Sequence, residues 1–285
     1  MSPLLQALLR ETKHTLADVD AFAVTNRPGL VGSLLVGVTA AKTLAWSLHK
    51  PLIAVHHLSG HIHSIFLNQP EIAQGLAYPH LCAVISGGHT NLYVFKDSAS
   101  RQLPLDQTCV GKSRDDAAGE AFDKAAKCLG LDYPGGALIE KYAQTGDPMR
   151  FKLPKALLGP DSLDFSFSGL KTAAMLLIQA QRRANTFEEN FTHLCASIQE
   201  AILETLLEKI KRAANMHGCE SIALVGGVAA NQMLRKKLQT LNLQTVFPHL
   251  AFCTDNAAMI AMAAFQTPEL SGSQLLALTA QAQAP

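Results

Sequence analysis

The period of the hydrophobic positions changes repeatedly along the chain, dividing it into short strands and longer helices. Leu4, Leu5, Leu8 and Leu9 recur at helical spacing, which predicts an amphipathic helix over residues 3–10. Residues 21–25 and 51–55 are short apolar runs expected as strands. Between them, residues 30–48 predict a helix built on small residues, Gly32, Ser33, Gly37, Ala40 and Ala41, which let a second backbone approach, so it is either buried or a docking face. Residues 81–86 and 91–95 predict a hairpin closed by Gly87-Gly88, with a third strand ending near 108–110. A helix over 115–129 opens on Asp115, Asp116 and Glu120, carboxylates that favour a helix N-terminus; Asp123 shares a side with Asp116 and Glu120. A further helix starts at Thr172. Residues 190–216 form the longest helical pattern, with Leu194, Ile198, Ile202, Leu206 and Ile210 on one face. Residues 222–225 form a buried strand running into Gly226-Gly227, followed by a helix over 233–241 and one more strand at 245–247. The alternation predicts an α/β protein.

With 285 residues the chain can build two modest lobes or one large domain, and 48% hydrophobic against 16% charged residues supplies a globular core. Twenty-four Lys and Arg against 23 Asp and Glu leave a net charge of +1, which excludes the electrostatic footprint of tight, unaided nucleic-acid binding. The two basic runs, Arg235-Lys236-Lys237 and Lys209, Lys211 and Arg212, are assigned to solvated helix faces. Six cysteines without a CxxC pair predict reduced thiols and a cytoplasmic protein. The most apolar window, residues 30–41, is too short to cross a membrane, so no membrane partner is expected.

Three places carry candidate chemistry, each with a structural alternative. His57 and His61 lie four residues apart where a helix follows a strand, so both imidazoles share a face and can hold one metal ion given a third ligand. Taken alone, the spacing also suits ordinary histidines. Gly87-Gly88, in Ser86-Gly87-Gly88-His89-Thr90, either opens main-chain N–H groups to an anion or makes a hairpin turn needing positive φ. Gly226-Gly227 before a helix suits a phosphate, and is also common where nothing binds. Thr254 or Asp255 is placed to cap the helix that follows.

The ordered set HxxxH, SGGHT, DDAAGEAFDK, LDYPGG, DFSFSGLKT, GGVAAN and CTDNAAMIA, spread from about Leu4 to about Ala264, resembles the bacterial tRNA adenosine threonylcarbamoyltransferase family. The resemblance implies the fold of actin, sugar kinases and Hsp70 ATPases, with two ribonuclease-H-like lobes. On that basis residues 1–80 are expected to be a remnant of the first lobe carrying the histidines, residues 81–265 the second lobe with inserted helices, and residues 266–285 a flexible tail. Position by position, His57, His61 and Asp255 match the metal ligands, and Val84, Ile85, Ser86, Gly87, Gly88, Asp123, Gly136 and Asn231 match the substrate positions. Glu140 stands where the family often has aspartate, as a weaker contact. The implied cofactor is one divalent metal, iron(II) foremost, with zinc as the alternative. The implied reaction moves a threonylcarbamoyl group from threonylcarbamoyl-AMP to the exocyclic amine of the adenosine beside the anticodon, in tRNAs reading codons that start with A. No residue is assigned as general base, and no nucleophile for a covalent intermediate is apparent. The implied partners are tRNA, a paralogous protein of the same fold and a small ATPase.

The chain departs from the family pattern in two ways. The opening strand with Gly-Ile-Glu-Thr/Ser-Ser/Thr-Cys-Asp and two further strands do not precede residue 3, so the first lobe is expected to be incomplete and Met1 to be an internal methionine of a longer protein. Arg27 also replaces the first glycine of the Thr-x-Gly-Pro-Gly-Leu turn. An inactive, partner-binding scaffold is therefore the alternative function. A metallopeptidase of the HExxH kind is disfavoured because Leu58 occupies the position of its water-activating glutamate.

Overall fold

The computed structural model describes residues 2–102, 104–155, 159 and 161–282. Its strands are β1 (Phe22–Arg27), β2 (Leu52–His56), β3 (His80–Ile85), β4 (Thr90–Phe95), β5 (Cys109–Lys112), β6 (Ser221–Val225), β7 (Gln244–Val246) and β8 (Glu269–Leu270). The chain forms two compact units, one running to Leu67 and resuming at Asn256, the other spanning Asn68–Asp255.

In the first unit β1 and β2 are parallel, and the helix Val31–Ser47 is the crossover such a pair requires. Side chains alternate across a strand. Leu52 accordingly packs with Ala41, Ala45 and Leu275, whereas Ile53 and Val55 pack with Ala263 and Ala264. The tail expected to be flexible is part of this unit. β8 adds antiparallel to β2, Leu275 in the helix Gly272–Ala277 is 3% exposed, and Lys42 Nζ donates to the carbonyls of Leu276 and Leu278 at 2.6 and 3.0 Å. Leu270, Leu275 and Leu278 supply the apolar contacts that the Ala/Gln-rich composition conceals. The compact units divide at Leu67/Asn68 and Asp255/Asn256, beside the divisions at 80/81 and 265/266 that the sequence suggests. The first helix, Ser2–Thr12, leaves Leu4 and Leu8 exposed rather than buried.

The second unit holds a five-stranded sheet in the order β5-β4-β3-β6-β7. β3 is antiparallel to β4 and parallel to β6, and buried along its whole length, hence its unbroken apolar run after His80. The order and directions are those of a ribonuclease-H-like lobe. Helices Ala118–Leu129, Gly135–Ala143, Ser168–Arg183 and Phe187–Met216 lie in sequence between β5 and β6 and contribute Phe122, Ile139, Leu170, Ile202 and Leu206 to one core with Phe165 and Phe167. Each large side chain buried there contributes roughly 1.5–3 kcal/mol.

Two sequence expectations fail here for one reason. The helix expected at 115 starts at Ala118. Asp115 accepts from the Phe167 main chain at 2.7 Å and from Ser166 Oγ, and Asp116 accepts from Lys124 and Lys171 at 2.6 and 2.8 Å. Asp115 ties the helix entry to the segment before the helix Ser168–Arg183 and Asp116 ties it to Lys171 within that helix, and both residues precede Ala118, so neither belongs to a helical first turn. Four residues of the two basic runs are likewise internal ties. Lys209 is fully buried and donates to the Ser162 carbonyl, Arg212 donates to the Gly159 carbonyl, Arg235 to two further carbonyls, and Lys237 pairs with Glu200 and Glu204.

The two lysines hold the Asp116 carboxyl below its ordinary value of 3.8. A lowered acid contributes stability above its unfolded pKa and loses it as pH falls through the folded pKa. Asp116→Asn should therefore be less stable than the parent at neutral pH, with the difference vanishing in strong acid. Urea melts across that range check this, and a gap independent of pH would show that charge is not the cause.

Candidate functional site

Within the second unit a cavity of about 270 Å³ opens where three chain turns meet. Gly87 follows β3, Gly136 is the second residue of the helix Gly135–Ala143, and Gly227 and Asn231 come from the segment after β6. The local packing explains why the turns meet. The Thr90 hydroxyl accepts from Ala118 N at 2.8 Å, and the Ser86 carbonyl from Gly119 N at 3.2 Å, docking the start of the helix Ala118–Leu129 on the β3–β4 turn. An added Cβ at Gly119 would stand 2.6 Å from the Ser86 carbonyl oxygen, so this approach needs glycine. Gly226 has φ +93°, and its Cβ would strike the Ile85 carbonyl. These two glycines serve the fold.

Gly87, Gly88, Gly136 and Gly227 do not. None has positive φ. A Cβ at Gly87, Gly88 or Gly227 meets nothing within 4 Å, and one at Gly136 meets only Phe122 at an ordinary 3.6 Å. The positive-φ explanation of Gly87-Gly88 is therefore excluded. What these glycines leave is open main chain, with Gly87, Gly136 and Gly227 at the cavity wall.

The polar residues at the wall also carry structural duties. Asp123 Oδ1 accepts from Gly135 N at 2.9 Å and caps the helix Gly135–Ala143. Asn231 is the N-cap of the helix Gln232–Gln239, its Oδ1 accepting from Leu234 N at 2.9 Å while its Nδ2 donates to Gln199 at 2.9 Å. Glu140 accepts from Gln232 N at 2.7 Å. Burial raises its carboxyl above 4.5, against the lowering by main-chain donors at Gln232 and Met233. The cavity thus gathers Gly87, Asp123, Gly136, Glu140 and Asn231. It does not gather Val84, Ile85, Ser86 or Gly88. Val84 and Ile85 are fully buried in β3, and the Ser86 hydroxyl accepts from His89 N at 3.1 Å. Phe122, Tyr133, Ala137, Val228 and Thr254 line the cavity without having been expected. Tyr133, Ala137 and Val228 adjoin the glycine motifs, which was their signal, and Thr254 adjoins Asp255.

His57 is the first residue of the short helix His57–His63, so His61 follows one turn later, and the two rings meet edge to face with centroids 4.8 Å apart. Gly60 between them lies against Met259 and Ile260 of the helix Ala257–Ala264, where a Cβ would stand 2.7 Å from Ile260 Cδ1. That close packing sets the start of the helix Ala257–Ala264 beside the histidine helix. The cap of that helix is Asn256, which accepts from Met259 N at 2.8 Å, and not Thr254 or Asp255. His57 and His61 thus present two imidazoles one turn apart on this helix, and Asp255 directly precedes the Asn256 cap of the helix packed against it. Two imidazole nitrogens and one carboxylate suit a divalent first-row metal, leaving coordination positions open.

Residues 1–262 match the family model described as tRNA N6-adenosine threonylcarbamoyltransferase. The chain is 48% identical to the tRNA N6-adenosine threonylcarbamoyltransferase of Moorella thermoacetica, over 92% of this chain and 75% of that protein. It is 45% identical to that of Syntrophobacter fumaroxidans, over 95% and 79%. Among solved structures, full-length HypF matches with a TM-score of 0.59 at 13% identity, covering 98% of this chain and 42% of HypF. Component A of the Acidaminococcus fermentans (R)-2-hydroxyglutaryl-CoA dehydratase matches with 0.51 at 15%, covering 92% and 80%. These two likenesses concern the fold alone, that of the actin, sugar kinase and Hsp70 group.

Proposed function

The chain belongs to the tRNA N6-adenosine threonylcarbamoyltransferase family, and from that membership we propose that the cavity at Gly87, Gly136 and Gly227 holds the donor, threonylcarbamoyl-AMP. The chain is a transferase that places the threonylcarbamoyl group on the N6 amine of adenosine in tRNA. We assign the acceptor as the adenosine beside the anticodon in tRNAs reading codons that start with A, and the cytoplasm as the compartment. The observation that carries the donor site is the set of cavity glycines that neither φ nor protein packing requires.

The N6 lone pair is delocalised into the purine ring, so the amine is a weak nucleophile and the donor must carry a good leaving group. Its attack on the carbamoyl carbon forms the C–N bond. The bond from that carbon to the phosphate oxygen breaks, AMP departs with the electron pair, and the amine releases a proton. Negative charge therefore grows on the phosphate. Main-chain N–H groups at the glycine turns and at the start of the helix Gly135–Ala143 favour that charge without reorganisation. Asp123, Glu140 and Asn231, already fixed by the main chain, hold those turns in place and present polar edges to the nucleoside.

We propose that His57, His61 and Asp255 hold iron(II). Two histidines and a carboxylate are the donor set of many mononuclear iron sites, and zinc accepts the same ligands. Such a cation, when bound, supplies Lewis acidity. We further propose that a paralogous protein of the same fold and a small ATPase act with this chain. Val31, Leu35 and Trp46 recur along one side of the helix Val31–Ser47 and are 41%, 46% and 55% exposed, an apolar stripe suited to such docking.

The test is reconstitution with threonylcarbamoyl-AMP and unmodified tRNA, with the chain alone and with both proposed partners. Modified nucleoside and AMP are counted by mass spectrometry. Equimolar AMP and modified adenosine are expected in the full mixture. AMP release there without modified nucleoside would sink the proposal. A mixture no faster than the chain alone would remove the partner assignment.

A further inference from the structure

We propose that Arg235 is a positioning residue that locks the turn at Gly227–Ala230 to the segment ending at Asp255, so that one side chain sets donor affinity and metal affinity together. This rests on the donor and metal assignments above. The helix Gln232–Gln239 carries Arg235 half-buried, three residues past its start. Arg235 Nε donates to the Ala229 carbonyl at 2.6 Å. Nη2 donates to the Pro248 carbonyl at 2.9 Å and lies 3.2 Å from Cys253 Sγ. The guanidinium carbon stands 4.9 Å from the centroid of the Phe247 ring, which supports its plane.

Two of these contacts lead to working residues. Ala229 is fully buried in the turn whose neighbours Val228 and Ala230 line the cavity. Cys253, also fully buried, immediately precedes Thr254 of the cavity wall and stands two residues before Asp255. The helix does not need these bonds to begin, because Asn231 already caps it. A planar fork with fixed donor directions is what spanning two loops requires, and a lysine ammonium cannot reproduce it. A shift of either loop moves cavity wall and metal ligand by the same rigid connection.

The test compares the parent protein with Arg235→Gln and Arg235→Lys. AMP, the leaving group, and zinc serve as probes in calorimetry, and urea melts report the fold. Both variants should bind AMP and zinc each about tenfold or more weakly, as small misplacements do, and lysine should not rescue. The donor KM should rise in parallel. A lower urea midpoint with unchanged AMP and zinc affinities would show a merely structural arginine and overturn the proposal. Loss of only one affinity would also overturn it. Should Arg235→Gln fail to fold, Phe247→Leu removes the supporting ring and leaves the hydrogen bonds. It should weaken both probes in the same direction, and no change in either would overturn the proposal. Failure of the parent protein itself to bind AMP would count against the donor cavity, which is a separate result.

Discussion

Replacing His61 by alanine is expected to abolish transfer and to lower affinity for a divalent cation by more than about a hundredfold, since even the partners behind metal ligands are worth ten- to hundredfold. His61 is fully buried on a helix held close to the helix Ala257–Ala264 by Gly60. Losing it leaves one imidazole and an exposed carboxylate, a pair that holds a first-row cation only weakly. The buried imidazole also fills space, so a stability loss of roughly 1–3 kcal/mol accompanies the change. That loss falls on the first unit. The second unit keeps its own core around Phe122, Ile139, Phe167 and Ile202 and should remain folded. Elemental analysis of the purified variant gives the metal content, and near-UV circular dichroism the fold. Metal content equal to the parent would refute the ligand assignment.

The same region shows what a sequence can and cannot reveal. β3 and β6 were legible because both faces are buried, which leaves an unbroken apolar run. His57 and His61 were legible as a pair, since a helix starting at His57 fixes their spacing. Asp255 was reached only through the family resemblance, because its own sequence context offers Thr254 or Asp255 as a helix cap, a place that Asn256 takes in the structure. Asp115 and Asp116 suited a helix N-terminus, yet their partners Ser166, Phe167 and Lys171 come from the start of the helix Ser168–Arg183 and the residues before it, far along the chain. Lys209 and Arg235 carry the same formal charge as surface cations. Their long stems are buried, with the charged ends turned to main-chain carbonyls, and hydropathy patterns do not register that. Near the end of the described chain the apolar signal is sparse: Leu270, Leu275 and Leu278 among alanines and glutamines suffice to pack against Leu52, Ala41 and Ala45.

Gly136→Val is expected to weaken AMP binding tenfold or more while scarcely moving the melting temperature. The expected direction follows from what surrounds the residue. A Cβ there meets Phe122 at 3.6 and 3.7 Å, ordinary contact distances, and φ is not in the left-handed region. In a helix, valine is if anything a few tenths of a kcal/mol better than glycine. The chain can therefore carry the larger side chain, and its methyl groups enter a cavity of about 270 Å³ that has little room to yield. The neighbouring Gly135 supplies the contrast. Its Cβ would lie 2.5 Å from Ala126 Cβ and 2.9 Å from Asp123 Cα, so Gly135→Val should lower the melting temperature sharply by forcing two helices apart. Calorimetric titration of AMP and thermal melts on both variants separate the two roles. If Gly136→Val loses stability and affinity in the same proportion as Gly135→Val, Gly136 serves the backbone, and the cavity glycines no longer argue for a nucleotide.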